Sequence, residues 1–317
     1  QRRMSKPRRP KRAVDGILLL DKPPGITSNA ALMEVRRLFQ ADKAGHTGSL
    51  DPMATGMLPI CLGNATKLSG QLLASDKAYR ATICLGARTD SGDADGTVVE
   101  SASVPAHDAA QVIAMLDASC GPQTQIPPMV SALKHEGKRL YALAREGVEI
   151  ARAPRDIVIH QLKLVDWQPM QWVIDVQCSK GTYIRVLAED LAQKVGTLAH
   201  LTGLRRRWVT PFRGTQYALS QLQAIASDGG HVALDACLLP LSSALVQWPK
   251  VVVTGPQAAQ LRAGQPIAVQ DSAASEVGAA QREVAVLDGE GVAISLAVWR
   301  DDGLLWPKRW LSRDEKP

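Results

Sequence analysis

Gly45-His46-Thr47-Gly48-Ser49-Leu50-Asp51-Pro52-Met53-Ala54-Thr55-Gly56-Met57-Leu58-Pro59 is the stretch on which the reading of this chain turns. Its three glycines let the backbone bend sharply and let a ligand come close. Pro52 biases Asp51 away from helix, so the stretch reads as a shaped loop that presents one carboxylate. Leu32, Val35 and Leu38 precede it and Met57, Leu58, Ile60 and Leu62 follow, so apolar segments flank it on both sides. A polar loop between two core segments is a common place for a working site. The same composition also suits a plain turn. His46, Ser49 and Asp51 make a poor hydrolase triad, because triad members normally converge from separate parts of a fold. His46 and Asp51 also lack a nearby third ligand at a metal-binding spacing.

The 317 residues allow one large domain and a smaller one, and a hydrophobic content of 45% allows a sizeable core. The net charge is +6, which favours an anionic partner such as nucleic acid. That excess lies at the start. Residues 1–12 hold Arg2, Arg3, Lys6, Arg8, Arg9, Lys11 and Arg12 and no acid, so 30 of the 37 basic residues face all 31 acids in the remainder. A nucleic-acid surface on the body must therefore be a local patch, and residues 1–12 read as a disordered basic arm. Cys61, Cys84, Cys120, Cys178 and Cys237 are odd in number and widely spaced, which indicates neither a disulfide framework nor a zinc site. Reduced thiols and the lack of a membrane-length apolar run lead to the expectation of a cytoplasmic protein.

Before that loop, Ile17–Leu20 reads as a buried strand ending in a turn at Asp21–Gly25. Thr27 or Ser28 can cap a helix through Leu38. Asn64–Leu73 fits a short helix with Leu68 and Leu72 inward. The alternation of Tyr79, Ala81, Ile83 and Leu85 with polar neighbours predicts a half-buried strand. Asp90–Gly96 lacks the carboxylates of a calcium loop and reads as a turn. Val112, Ile113 and Leu116 predict a helix ending at Gly121, and Pro122–Pro128 excludes helix or central strand. Ile157–Ile159 and Val173–Val176 look like paired strands, and Ile184–Val195 has helical spacing up to Gly196. Arg205, Arg206 and Arg207 beside Trp208 suit phosphate contact and base stacking, although a solvated strand edge reads the same way. From about Ser242 the runs are short and strand-like, which predicts a small all-β domain with a flexible loop at 271–281.

The Asp51 stretch resembles the signature of the TruB family of pseudouridine synthases, Gly-His-x-Gly-x-Leu-Asp-Pro-x-Ala-x-Gly-x-Leu-Pro, at every fixed position from Gly45 to Pro59. Asp21-Lys22-Pro23, Lys77-Ala78-Tyr79-Arg80, Arg88-Thr89-Asp90 and Lys180-Gly181-Thr182-Tyr183-Ile184-Arg185 resemble further motifs of that family. Pro127–Lys134 resembles its tRNA-closing insert, with Val130 where many relatives carry an aromatic residue or histidine.

The resemblance implies an α+β pseudouridine-synthase fold: a mixed, largely antiparallel sheet with flanking helices over residues 13–245, then a PUA-like β domain over 246–317. Residues 126–147 would form an insert contacting tRNA. The implied activity is isomerisation of uridine 55 in the T arm of tRNA, on a flipped base, by covalent catalysis. Asp51 would be the nucleophile, Arg185 its charge-assisted partner, and Tyr79 a stacking residue near the moving proton. His46, Tyr183 and the Leu204 backbone would hold the nucleotide, and Asp93 would tether Arg185 from behind. Lys22, Lys67, Arg205 and Arg206 would support the site. The expected partner is the tRNA T stem-loop, for a monomer using no cofactor and no metal. A non-catalytic RNA-binding or tRNA-folding protein is the alternative, since it would need only the basic patches and not Asp51.

Overall fold

The computed structural model describes residues 11–129, 151–269 and 283–313, and the backbone of two short strands between the first two segments. In chain order the strands and helices are β1 (Gly16–Lys22), α1 (Ser28–Phe39), β2 (Ala44–His46), β3 (Thr55–Leu62), α2 (Ser69–Leu73) and β4 (Lys77–Leu85). There follow β5 (Ala87–Thr89), β6 (Val98–Ser101), α3 (Ala109–Asp117), β7 (Gly121–Gln125), β8 (Lys134–His135) and β9 (Lys138–Arg139). The chain continues through β10 (Arg155–Gln168), β11 (Gln171–Cys178), α4 (Ile184–Lys194), β12 (Ala199–Val209), β13 (Tyr217–Ala218) and α5 (Leu219–Asp235). It ends with β14 (Lys250–Val252), α6 (Gly255–Arg262), β15 (Glu283–Leu287), β16 (Ala293–Trp299) and β17 (Leu305–Trp310).

Nine strands among the described residues form one mixed sheet in the order β13-β1-β3-β12-β4-β11-β10-β7, with β2 also on β3. The pairings are antiparallel except β1–β13 and β3–β12. The fold is α+β with a largely antiparallel sheet. Local chemistry explains the first elements. β1 is buried along nearly its whole length, as a central apolar run must be. Thr27 caps α1 by accepting a hydrogen bond from the Ala30 N–H, and Ala31, Leu32, Val35 and Phe39 form the helix's buried stripe. Gly63–Leu68 is a 3-10 turn leading into α2, with Leu68 and Leu72 buried as their spacing predicts.

Pro122 sits in β7, an edge strand of this sheet, where a missing N–H costs least. The preceding helix stops at Asp117, before the expected Gly121, and Gly121 starts β7. α5, over a stretch with weak periodicity, was not anticipated; it is broken by the non-helical Gly230.

Two expectations fail on position. β12 is not a solvated edge, because it lies inside the sheet between β3 and β4. Arg12 is not part of a disordered arm, because its backbone bridges to Ala41 and its guanidinium forms a 2.5 Å ion pair with Asp235 on α5. Residues 1–10 of that arm and the 271–281 loop lie outside the described residues. So does most of the 126–147 insert, including Val130, Tyr141 and Arg145; at Lys134–His135 and Lys138–Arg139 the pairing of β8 with β9 is all that is described.

The C-terminal strands form a second sheet in the order β14-β15-β16-β17. It is not all β. Thr254 and Gln257 make a reciprocal capping box that starts α6, a signal legible in the sequence but passed over. Ala285, Ala293, Leu296 and Leu311 pack into one apolar cluster with Ile17, Leu19, Met57 and Cys61, so this sheet covers one face of β1 and β3. Arg313 adds a two-pronged ion pair to Asp15 at 2.7 and 2.9 Å.

Candidate active site

The loop between β2 and β3 is gripped from three sides. At the start of α1, Ser28 Oγ accepts a hydrogen bond from the Leu50 N–H at 2.7 Å and lies 3.1 Å from the Leu50 carbonyl, to which it donates. From the end of β1, Lys22 Nζ donates to the Pro23, Ile26 and Pro52 carbonyls at 2.8, 2.7 and 3.2 Å. From β12, Arg206 donates to the Met57, Gly48 and Ser49 carbonyls at 2.7, 3.0 and 3.5 Å. The residue between these anchors is Asp51.

Asp51 faces Arg185, the second residue of α4. Arg185 Nε lies 2.9 Å from Oδ2 and Nη2 lies 3.3 Å from Oδ1. The Arg185 side chain is 4% exposed and that of Asp51 35%, so the carboxylate stands at a surface opening while its partner is inside. Burial pushes the Asp51 carboxyl above its ordinary value; the Arg185 guanidinium opposes that, Asp93 adds to it, and Lys22 opposes it weakly. The arrangement is a fixed carboxylate with an open side, suited to nucleophilic attack once ionised.

Arg185 is itself fixed. Its Nη1 donates to the Ser91 carbonyl at 2.5 Å, and Ser91 Oγ donates to Asp93 Oδ1 at 2.6 Å. Asp93 thus meets the pair through Ser91, and is buried. Tyr183 is the residue at the N-cap of α4, and its N–H and C=O are both bonded to the amide of buried Gln125. Ser28, Ser91 and Gln125 were missed in the sequence. Ser91 lies in the Asp90–Gly96 turn, between the Arg88-Thr89-Asp90 motif and the expected tether Asp93, and that position is its signal in the sequence.

Tyr79 lies on β4, directly across from Arg206 on β12 and Val176 on β11. Burial raises its phenol above the ordinary value, while the charge of the Arg206 guanidinium opposes that. Leu204 is buried opposite Ala81. His46 ends β2, half-buried, at the start of the Asp51 loop. The remaining residues divide. Lys22 is fully buried, and burial lowers its ammonium to about 8 although Asp51 opposes this. Arg205 is exposed and forms a two-pronged pair with Asp21 at 2.9 and 3.0 Å. Lys67 sits at the seam with the C-terminal sheet, where its Nζ donates to the Trp310 carbonyl at 2.8 Å.

Among the described residues no three His, Cys, Asp or Glu side chains gather as a metal site, and no helix is long and apolar enough to cross a membrane.

Comparison with known proteins bears on this geometry. Residues 36–184 match the family model of the TruB family pseudouridylate synthase N-terminal domain, and residues 185–246 match that of the tRNA pseudouridylate synthase B C-terminal domain. The chain is 44% identical to tRNA pseudouridine synthase B of Chromohalobacter salexigens over 94% of this chain and 95% of that one. It is 48% identical to the protein of the same name from Nitrosococcus oceani, over 81% and 83% of the two chains. Among solved structures, an H/ACA RNP bound to a substrate RNA containing 2′-deoxyuridine matches with a TM-score of 0.71 at 19% identity, covering 95% of this chain and 86% of that one. That last likeness concerns the fold.

Proposed function

The chain belongs to the TruB family of tRNA pseudouridine synthases, and on that premise we propose that it isomerises uridine 55 in the T arm of tRNA with Asp51 as nucleophile. The observation that carries this reading is the Asp51–Arg185 fork, set in a loop that three separate elements hold. In the isomerisation the N1–C1′ bond breaks and a C5–C1′ bond forms. The proton lost from C5 is matched by one gained at N1, so the product is an isomer and nothing is oxidised or reduced.

In this reading the target base is flipped out of its stack so that its reacting atoms reach a pocket. Tyr79 stacks on the uracil, close to the moving proton. Tyr183 and Leu204 complete the base pocket, and His46 orders the displaced nucleotide. Arg185 keeps Asp51 ionised and aimed, and Asp93 steadies Arg185 through Ser91. Lys22 and Arg206 hold the loop. Arg205 lies further out, on a surface that suits an RNA backbone, and Lys67 supports the site from the seam with the C-terminal sheet. Residues 13–245 are read as the catalytic domain, with the 126–147 insert and a PUA-like module over 246–317 adding contacts to tRNA. The protein is read as a cytoplasmic monomer that uses no cofactor and no metal.

The test is incubation of the purified chain with an unmodified tRNA transcript, followed by mapping of pseudouridine. Modification at position 55, absent when that uridine is replaced by cytidine, is the expected result. Tight binding or assisted folding of the transcript with no pseudouridine formed would replace this reading with that of a non-catalytic RNA-binding protein.

A further inference from the structure

We propose that Arg206 is a positioning residue: its buried guanidinium ties the two ends of the Asp51 loop together and to the strand that carries Tyr79. The inference deepens the reading of Asp51 as nucleophile and rests on it.

Strand alternation supplies the first part. Side chains along a strand point to opposite faces in turn. In the run Arg205-Arg206-Arg207 the outer two are exposed, while Arg206 is 1% exposed. The three arginines are therefore not one basic patch. Arg205 and Arg207 reach Asp21 and Asp175 on the open face, and Arg206 turns inward.

Its donors go to backbone carbonyls at both ends of one loop. Gly48 and Ser49 lead into Asp51, and Met57 follows it on β3. The Arg206 backbone pairs with Gly56 on one side and with Tyr79 on the other, so a single residue touches the loop's exit and the strand of the active-site tyrosine. Gly56 has φ +98°, and a Cβ there would stand 2.2 Å from the Arg206 carbonyl oxygen. The two strands meet this closely because glycine leaves the space. The charge of the guanidinium also opposes the rise that burial imposes on the Tyr79 phenol. A planar fork with several fixed donors can span carbonyls in different directions, which a single ammonium cannot do. The result is a set spacing between Asp51 and Tyr79, the two groups that the proposed reading brings to bear on one nucleoside.

The test is Arg206→Lys in the full chain. Single-turnover rate is expected to fall on the order of a hundredfold, as misplacement of a reacting group produces. Affinity for tRNA is expected to stay within about twofold, with an unchanged salt dependence. The acid side of the rate profile is expected to move to higher pH, because a loosened loop draws Asp51 away from the guanidinium that favours its ionised form. A variant with normal single-turnover rate would overturn the proposal. So would one whose binding weakens with a salt slope shallower by roughly 0.7–0.9, the mark of one lost phosphate contact.

Should the variant fail to fold, the unaltered chain supplies a second measurement by arginine-directed labelling with phenylglyoxal. Arg206 is expected to stay unmodified with and without tRNA. Labelling of Arg206 in the free chain that tRNA blocks would make it an RNA contact and overturn the proposal. The underlying reading is tested separately with Asp51→Asn: turnover in that variant removes the nucleophile assignment, whereas an inactive Asp51→Asn beside a fully active Arg206→Lys removes only the positioning role of Arg206.

Discussion

Arg185 grips both carboxylate oxygens of Asp51, with Nε 2.9 Å from Oδ2 and Nη2 3.3 Å from Oδ1, across 134 residues of sequence. The grip comes from the first turn of α4, whose buried Ile184, Leu187, Ala188 and Leu191 anchor the backbone. Orientation as well as charge is therefore supplied from a rigid element.

Arg185→Lys should keep the charge and lose the fork. The ammonium is a point charge on a flexible stem and cannot hold two oxygens in a plane. Single-turnover rate should drop on the order of a hundredfold with tRNA affinity nearly intact, measured by quench-flow and filter binding. Near wild-type rates would reduce Arg185 to a structural charge.

The rate should have an acid limb set by Asp51. Its carboxyl is raised above the ordinary value by burial, so the active, ionised form is lost as pH falls through that raised value, earlier than for a free aspartate. Arg185 opposes the rise, so in Arg185→Lys, with its poorer grip, the limb should shift further toward neutral pH. Single-turnover rates from pH 5 to pH 8 check this, and a flat profile in both chains contradicts it.

Lys22→Met should show its effect through pH. In the folded chain burial lowers the Lys22 ammonium from 10.5 to about 8. Below pH 8 the lysine is charged in both folded and unfolded chains, and its burial costs stability. Between about 8 and 10.5 the unfolded chain binds more protons, so stability from this group rises with pH. Wild type should therefore gain about 2 kcal/mol on the variant between pH 7 and pH 10, read from paired denaturant melts. A constant difference would mean that the folded lysine keeps its ordinary titration.

Gly56→Ala should damage stability and activity together. The residue combines a positive φ with a Cβ position inside the backbone of β12. Strain and overpacking each cost on the order of 1–3 kcal/mol. At Gly264, where φ is +80° and nothing lies within 4 Å, alanine should cost only the left-handed backbone strain, about 1–2 kcal/mol, and leave turnover unchanged. Equal losses at the two glycines would show that the β3–β12 approach does not require glycine.

Most strands, the first helices and the Asp51 loop are legible from local chemistry alone. The apolar run of β1, the Thr27 cap of α1, the alternation in β4 and the Gly-Pro shape of the Asp51 loop are all short-range patterns, legible within a few residues. Asp51 itself was legible because a proline and glycines leave one carboxylate exposed between two buried runs. The remaining features depend on long-range packing. Arg206 belongs to a run that looks like a solvated cluster until β12 is placed between β3 and β4, where one face is interior. Arg12 looks like part of a tail until α5 brings Asp235 beside it. Ser91 looks like a turn residue until α4 sets Arg185 over its carbonyl. Strand order and helix docking follow from burial summed over the whole chain, so a residue's partner across a hundred positions leaves no trace in its local pattern.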